Sequence, residues 1–347
     1  MIICSNCFDD LEVKKFIESN SKNIDDCSYC GETNSLVVNL DELLDFFSEF
    51  LEVFTLDEEF GLPVLDLIHE DWMLFSGKTD SKRLLDDILE KISFLGIKSS
   101  NVSVVYIEEI QESVNYWDVL KDNLKWERRF LTDVDEIIDL GWDTFFSIET
   151  GLQKDKILFR ARIHSVENNT TYPLEKMGSP PKENSTNGRA NPEGIPYLYL
   201  SEDIQTTFYE TRVTYLDELS VGSFMLKKEE SVFLVDFTDY SSPFLSMGDM
   251  VNNAKSRLLQ RKISFDLSKP IRRYDSQLEY LPTQFICEFI RYVTGADGIV
   301  FDSSLHEGGV NYVIFSKEKF ECVGVKKYHI NSINIEGVVE NEALPKF

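Results

Sequence analysis

The chain of 347 residues carries 61 acidic against 35 basic side chains, a formal charge of −26, so its surface as a whole repels phosphate backbones and direct nucleic-acid binding is disfavoured. Hydrophobic residues make up 42% and aromatics 12%, enough to fill the cores of two domains. No apolar run approaches the ~18 residues of a membrane helix, and the opening residues lack the basic segment and apolar stretch of a signal peptide. These features predict a soluble, cytoplasmic chain without a membrane segment. The acidic balance suits a basic protein partner, or simply solubility.

Two CxxC pairs, Cys4/Cys7 and Cys27/Cys30, mark residues 1–35. Paired thiolates on two short turns can face one ion tetrahedrally, so the spacing predicts a structural Zn²⁺ held in a Cys₄ zinc ribbon. Two disulfides or four free thiols are the competing readings; a reducing cytoplasm disfavours the former and the spacing the latter. A closed Cys₄ site leaves no position for water, which makes this metal a staple and not a catalyst. Cys287 and Cys322 have no CxxC partner and read as core residues.

Residues 36–150 are poor in Gly and Pro. Leu43, Phe47, Phe50 and Phe54 recur at helical spacing, and similar texture over 83–95 and 119–140 predicts a helical domain. Residues 151–347 change to short β-rich runs at 157–163, 197–201, 232–237, 298–303 and 311–316. Helices are expected over 203–212, beside the capping Asp203, and over 282–293, ending before Gly295. The class predicted is α+β, with a mostly antiparallel sheet in the C-terminal domain.

The Gly-, Pro-, Asn- and Ser-rich segment 177–201 reads as an extended loop running into a strand, and its Lys182 and Arg189 can wrap an anionic ligand. Within it, Met177-Gly178-x-Pro180-Pro181 and Gly188-Arg189-Ala190-Asn191-Pro192-x-Gly194-Ile195-Pro196-Tyr197-Leu198-Tyr199-Leu200-Ser201 resemble the signature of the RES domain. Phe208-Tyr209-Glu210-Thr211 is similar to the helix with the family glutamate. Gly298-Ile299-Val300-Phe301-Asp302-Ser303-Ser304, followed by Gly309-Val310-Asn311-Tyr312, is similar to its strand–serine segment. Leu158-Phe159-Arg160-Ala161-Arg162 resembles the first strand. Ala190 departs from the pattern, since many members carry an aromatic there.

The resemblance implies an ADP-ribosyltransferase-like fold over 151–347 and a toxin of a toxin–antitoxin system or an antiphage effector. Its reaction would be cleavage of the nicotinamide–ribose bond of NAD⁺, as a glycohydrolase using water or a phosphorylase using inorganic phosphate. Arg189, Tyr199, Glu210 and Ser303 are the implied catalytic residues, and Arg160, Lys182, Asn191 and Ser304 the substrate-binding ones. The bond leaves positive charge on the sugar, which a carboxylate such as Glu210 stabilises. Arginine suits the pyrophosphate. Tyr199 can stack on nicotinamide or bond through its hydroxyl, and Ser303 can bind a carboxamide or phosphate.

Bland roles compete: Tyr199 as core, Glu210 as a solvated helix face, Ser303 as a turn cap and Arg160 as an ion-pair partner. Two further functions stay open at this stage, a protein ADP-ribosyltransferase and a non-catalytic RES-fold binding module. The family also implies a separate antitoxin or inhibitor protein, and the sequence leaves homodimerisation open. The cysteine pairs and helices resemble the HEPN/RES amino-terminal domain. With no Arg-x₄-His motif, no RNase chemistry is assigned to residues 1–150.

Overall fold

The computed structural model describes residues 1–146, 150–165, 170–238, 242–246, 248–270 and 277–334. The boundary expected near residue 150 adjoins 147–149, which with 335–347 lie outside the described residues. Backbone contacts divide the chain into two units, 1–147 with 239–266, and 148–238 with 267–347. Among the described residues no helix is long and apolar enough to cross a membrane.

The first unit mixes helices with two small sheets. Strands Ile2–Cys4, Ser35–Asn39 and Asn23–Asp25 form one, with Ser35–Asn39 central, and the two cysteine pairs sit at its end. Phe54–Leu56, Ser103–Tyr106 and Leu62–Pro63 form the other. The helical texture expected over 36–150 therefore holds for Leu44–Leu51, Ser81–Ile92 and Glu108–Asp122, while Phe54 leaves the helical phase for a strand. The expected 119–140 helix is broken. Glu108–Asp122 ends in a π turn at Asn123–Glu127, and a new helix, Val134–Asp139, starts where Asp133 accepts from the Glu136 N–H.

The segment 239–266 returns to this unit. Phe244 enters the aromatic core with ring centroids 5.4 Å from Phe46, 5.9 Å from Phe47 and 5.8 Å from Phe50. Burying one such ring contributes about 1.5–3 kcal/mol. Helix Met250–Ser268 then pairs its polar side chains: Lys262 meets Asp118 at 2.8 Å, and Asp266 accepts from Trp117 Nε1 at 2.7 Å and Lys121 Nζ at 2.9 Å. Arg257 lies over the Trp72 ring. Sequence periodicity misses this helix because Lys255 and Arg257 are buried beside Ala254 and Leu259, which hides its apolar stripe.

The second unit is built on an eight-stranded sheet, ordered Phe320–His329, Glu218–Leu226, Leu158–Ile163, Leu198–Ser201, Val310–Ile314, Gly298–Asp302, Phe233–Asp236 and Thr150–Gly151. Among the described residues only the Phe233–Asp236 and Gly298–Asp302 pair is parallel. The α+β class with a mostly antiparallel C-terminal sheet is thus observed. Leu158, Leu198, Leu200, Val300, Tyr312 and Ile314 fill the core below the sheet. Helix Ile204–Glu210 begins at Asp203, which accepts from the Thr206 N–H at 2.9 Å. Helix Leu281–Thr294 closes on Gly295 at φ +68°.

Candidate functional site

Along Leu198–Ser201 the side chains alternate: Leu198 and Leu200 join the core, so Tyr199 and Ser201 share the opposite face. Antiparallel pairing sets Ser201 beside Asn311 and Tyr199 beside Val313. Above these strands the loop before Leu198, the end of helix Ile204–Glu210 and the Leu158–Ile163 strand enclose a cleft of about 730 Å³. Arg160, Arg189, Tyr199, Glu210, Arg212 and Asn311 line it.

The loop is shaped from within. Tyr199 Oη donates to Asn191 Oδ1 at 2.7 Å and accepts from the Ala190 N–H at 3.1 Å. Asn191 Nδ2 donates to the carbonyls of Thr186 and Pro192, and Gln284 Nε2 reaches the carbonyls of Gly188 and Asn191. These bonds use both ends of the Asn191 amide, so it builds the loop and stays out of the cleft lining. Burial pushes the Tyr199 phenol up, keeping it neutral.

Gly188 is where this network crosses the backbone. A Cβ there would stand 2.3 Å from Asn191 Oδ1 and 2.6 Å from Tyr199 Oη. Gly188→Ala should therefore destabilise the protein by about 1–3 kcal/mol, the usual cost of overpacking. Gly178→Ala, whose Cβ would meet nothing within 4 Å, should melt like the wild type. Equal thermal midpoints for the two variants would remove this role for Gly188.

Helix Ile204–Glu210 delivers Glu210 at its last residue. Its Oε1 accepts from Ser303 Oγ and from Asn311 Nδ2, each at 2.7 Å. Ser303 follows strand Gly298–Asp302, and its Oγ accepts from the Leu305 and His306 N–H groups at 3.2 Å. Asn311 Oδ1 accepts from Ser201 Oγ at 2.9 Å. Among the described residues no hydrogen bond reaches Glu210 Oε2.

Three arginines line the same cleft in a chain that is acidic as a whole. Arg189 Nη1 donates to the Leu267 carbonyl; burial lowers its pKa, and the charge of Glu210 opposes the change. Arg160 is pushed down to about 10 by burial and by Arg162, and so stays charged at neutral pH. Its Nη1 is buried without a hydrogen-bond partner among the described residues. Arg212 follows the helix at φ +50°, a left-handed conformation that costs a non-glycine residue on the order of 1 kcal/mol. A cleft with convergent guanidiniums and one carboxylate can take an anionic ligand and stabilise a cation forming next to it.

Of the residues expected from sequence, Arg160, Arg189, Tyr199 and Glu210 meet in the cleft, with Ser303 bonded behind Glu210. Lys182 and Ser304 are not gathered there. Lys182 is exposed at the start of a 3₁₀ turn, Lys182–Asn184, and Ser304 is exposed and donates to the Ser268 carbonyl. Sequence reasoning missed Ser201, Arg212, Tyr280 and Asn311 as site residues. The alternation that puts Ser201 and Asn311 on one face was the available signal; the backbone of Arg212 offered none.

In the first unit, the sulfurs of Cys4, Cys7, Cys27 and Cys30 all lie within 4.8 Å of one another. Cys4 and Cys30 are 3.4 Å apart, as are Cys7 and Cys27. A disulfide needs about 2.05 Å, whereas tetrahedral thiolates around zinc sit roughly 3.8 Å apart. The donor set fits a metal. Burial pushes the Cys4 thiol up to about 12, while hydrogen bonding from Cys7 lowers Cys27 to about 4. Four thiolates need a bound cation to coexist there.

The RES domain family matches residues 157–334, just over half of the chain. A solved structure, the crystal structure of the M.tuberculosis MbcT–MbcA toxin–antitoxin complex, contains a chain similar at 12% identity with a TM-score of 0.31, over 54% of this chain and 88% of that one. No curated protein matches. The matched residues contain the whole arginine–carboxylate cleft outlined above, and the chain belongs to the RES domain family.

Proposed function

We propose that the cleft binds NAD⁺ and cleaves its nicotinamide–ribose bond. The observation that carries this reading is the joint position of Glu210, with one unengaged carboxylate oxygen, and of Arg160, Arg189 and Arg212 on the same cleft. The arginines take the pyrophosphate, and Arg160, already stripped of water and without a bond for Nη1, gains most from it. As the C–N bond breaks, its electron pair leaves with neutral nicotinamide and positive charge develops on the ribose. Glu210 meets that charge.

Tyr199 contributes its ring to the cleft wall, because its hydroxyl is committed to Asn191 and Ala190. Ser303 acts through Glu210 and not on substrate directly. Water or inorganic phosphate completes the reaction, giving ADP-ribose or its 1″-phosphate. In the cell such turnover depletes NAD⁺, which suits a toxin or antiphage effector restrained by a separate inhibitor protein. Incubating the full chain with NAD⁺, with and without phosphate, and following products by NMR tests this. Free nicotinamide is expected. ADP-ribose attached to protein would redirect the reading to a transferase, and intact NAD⁺ would end it.

The cysteine cluster we assign to one structural Zn²⁺ per chain. Metal quantification on purified protein should find about one equivalent, and Cys27→Ser should lose it together with several kcal/mol of stability. Zinc content unchanged in Cys27→Ser would contradict the assignment.

A further inference from the structure

We infer that Asn311, oriented by Ser201, is a positioning residue that holds the Glu210 carboxylate so that Oε2 is the oxygen offered to the sugar. The inference rests on the proposed function of the cleft and assigns a role to a residue that lies outside the arginines, glutamate and serine considered so far. Its basis is the polarity of a hydrogen-bonded chain. An asparagine amide has one accepting and one donating end. Ser201 Oγ donates to Oδ1 at 2.9 Å, which turns Nδ2 toward Glu210. The reverse orientation would set the Asn311 amide oxygen, left without a donor, against Glu210 Oε1, which would then keep Ser303 as its one donor.

Ser303 is polarised in the same sense. Its Oγ already accepts two backbone N–H groups, so its own proton goes to Glu210. Both donors reach the same oxygen, Oε1, from two different strand ends, Ser303 after Gly298–Asp302 and Asn311 within Val310–Ile314. A carboxylate gripped on one oxygen by two fixed donors cannot rotate freely. Its remaining lone pairs, on Oε2, are the ones left for the cleft. The charged and titratable groups that share the cleft with it are Arg160 from the Leu158–Ile163 strand, Arg189 from the loop, Arg212 just beyond its own helix, and the phenols of Tyr199, Tyr280 and Tyr312; no other carboxylate lines the cleft among the described residues. Ser201 and Asn311 are buried, so water does not replace either bond readily.

Three variants of the full chain test this with NAD⁺ as substrate. Asn311→Ala should lower kcat about 10- to 100-fold with KM within a few-fold of wild type, as expected for a charge-assisted bond felt at the transition state. Ser201→Ala leaves Asn311 in place but frees its amide to turn, and should lower kcat by a smaller factor. Asn311→Asp keeps the shape but puts a second carboxylate against Glu210. The pair then shares a proton, and the acid side of the kcat–pH profile should move upward by about a unit or more. A purely structural asparagine would not move that profile. Folded Asn311→Asp with the wild-type profile, or Asn311→Ala and Ser201→Ala with wild-type kcat, would overturn the role. Should Asn311→Ala not fold, the Ser201→Ala and Asn311→Asp measurements decide. A wild type that releases no nicotinamide overturns the proposed function itself, a result distinct from active variants in an active enzyme.

Discussion

Glu210→Gln should bind NAD⁺ within a few-fold of wild type while kcat falls by about 10²-fold or more, the typical loss when a charge aimed at a transition state is removed. The structure makes this substitution unusually clean. Ser303 and Asn311 both donate to Oε1, so a glutamine would keep its carbonyl oxygen there and turn its NH₂ to the position of Oε2. The shape of the wall is preserved and its charge is lost. The positive end of an amide dipole would then face the forming ribosyl cation. Calorimetric binding and nicotinamide release, measured side by side, separate the two effects. Equal losses in both would mean that Glu210 is a binding group and not the stabiliser of charge.

Arg160 and Arg189 should respond differently to removal, although both are cationic residues of one cleft. Arg160 has a buried Nη1 with no hydrogen-bond partner among the described residues, so Arg160→Met, which keeps the aliphatic volume, should leave thermal stability unchanged or raise it. The same change should weaken binding of ADP-ribose, which carries the pyrophosphate, by about 10- to 100-fold, the worth of one charge-assisted contact. Arg189 donates to the Leu267 carbonyl, so Arg189→Ala should cost stability as well as affinity. Thermal melts with and without ADP-ribose read both quantities. An Arg160→Met protein that melts far below wild type yet binds ADP-ribose normally would show that its guanidinium is structural.

Much of this site is legible in the residue order. The run from Gly188 to Ser201 specifies a loop entering a strand, Asp203 announces the helix that ends on Glu210, and the CxxC pairs announce the cysteine cluster. What resists reading has physical causes. Strands Glu218–Leu226 and Phe320–His329 carry glycines and charged residues, so neither alternates cleanly, although nine residues of each pair at one side of the sheet. Arg212 takes a left-handed backbone that nothing in its type foretells. Asn311 sits in an apolar strand where a lone amide looks incidental, and only the antiparallel register shows that it lies beside Ser201 and bonds it. Lys182, chosen for its charge in a loop, is exposed and does not line the cleft, because charge alone carries no direction.

The most direct test of the account is nicotinamide release from NAD⁺ by the purified full chain, quantified by chromatography over time beside Glu210→Gln at matched concentration. The cleft as described predicts many nicotinamide molecules released per wild-type chain, and release slowed by about 10²-fold or more in the folded variant. NAD⁺ left intact by the wild type, or consumed at the same rate by both proteins, would contradict it.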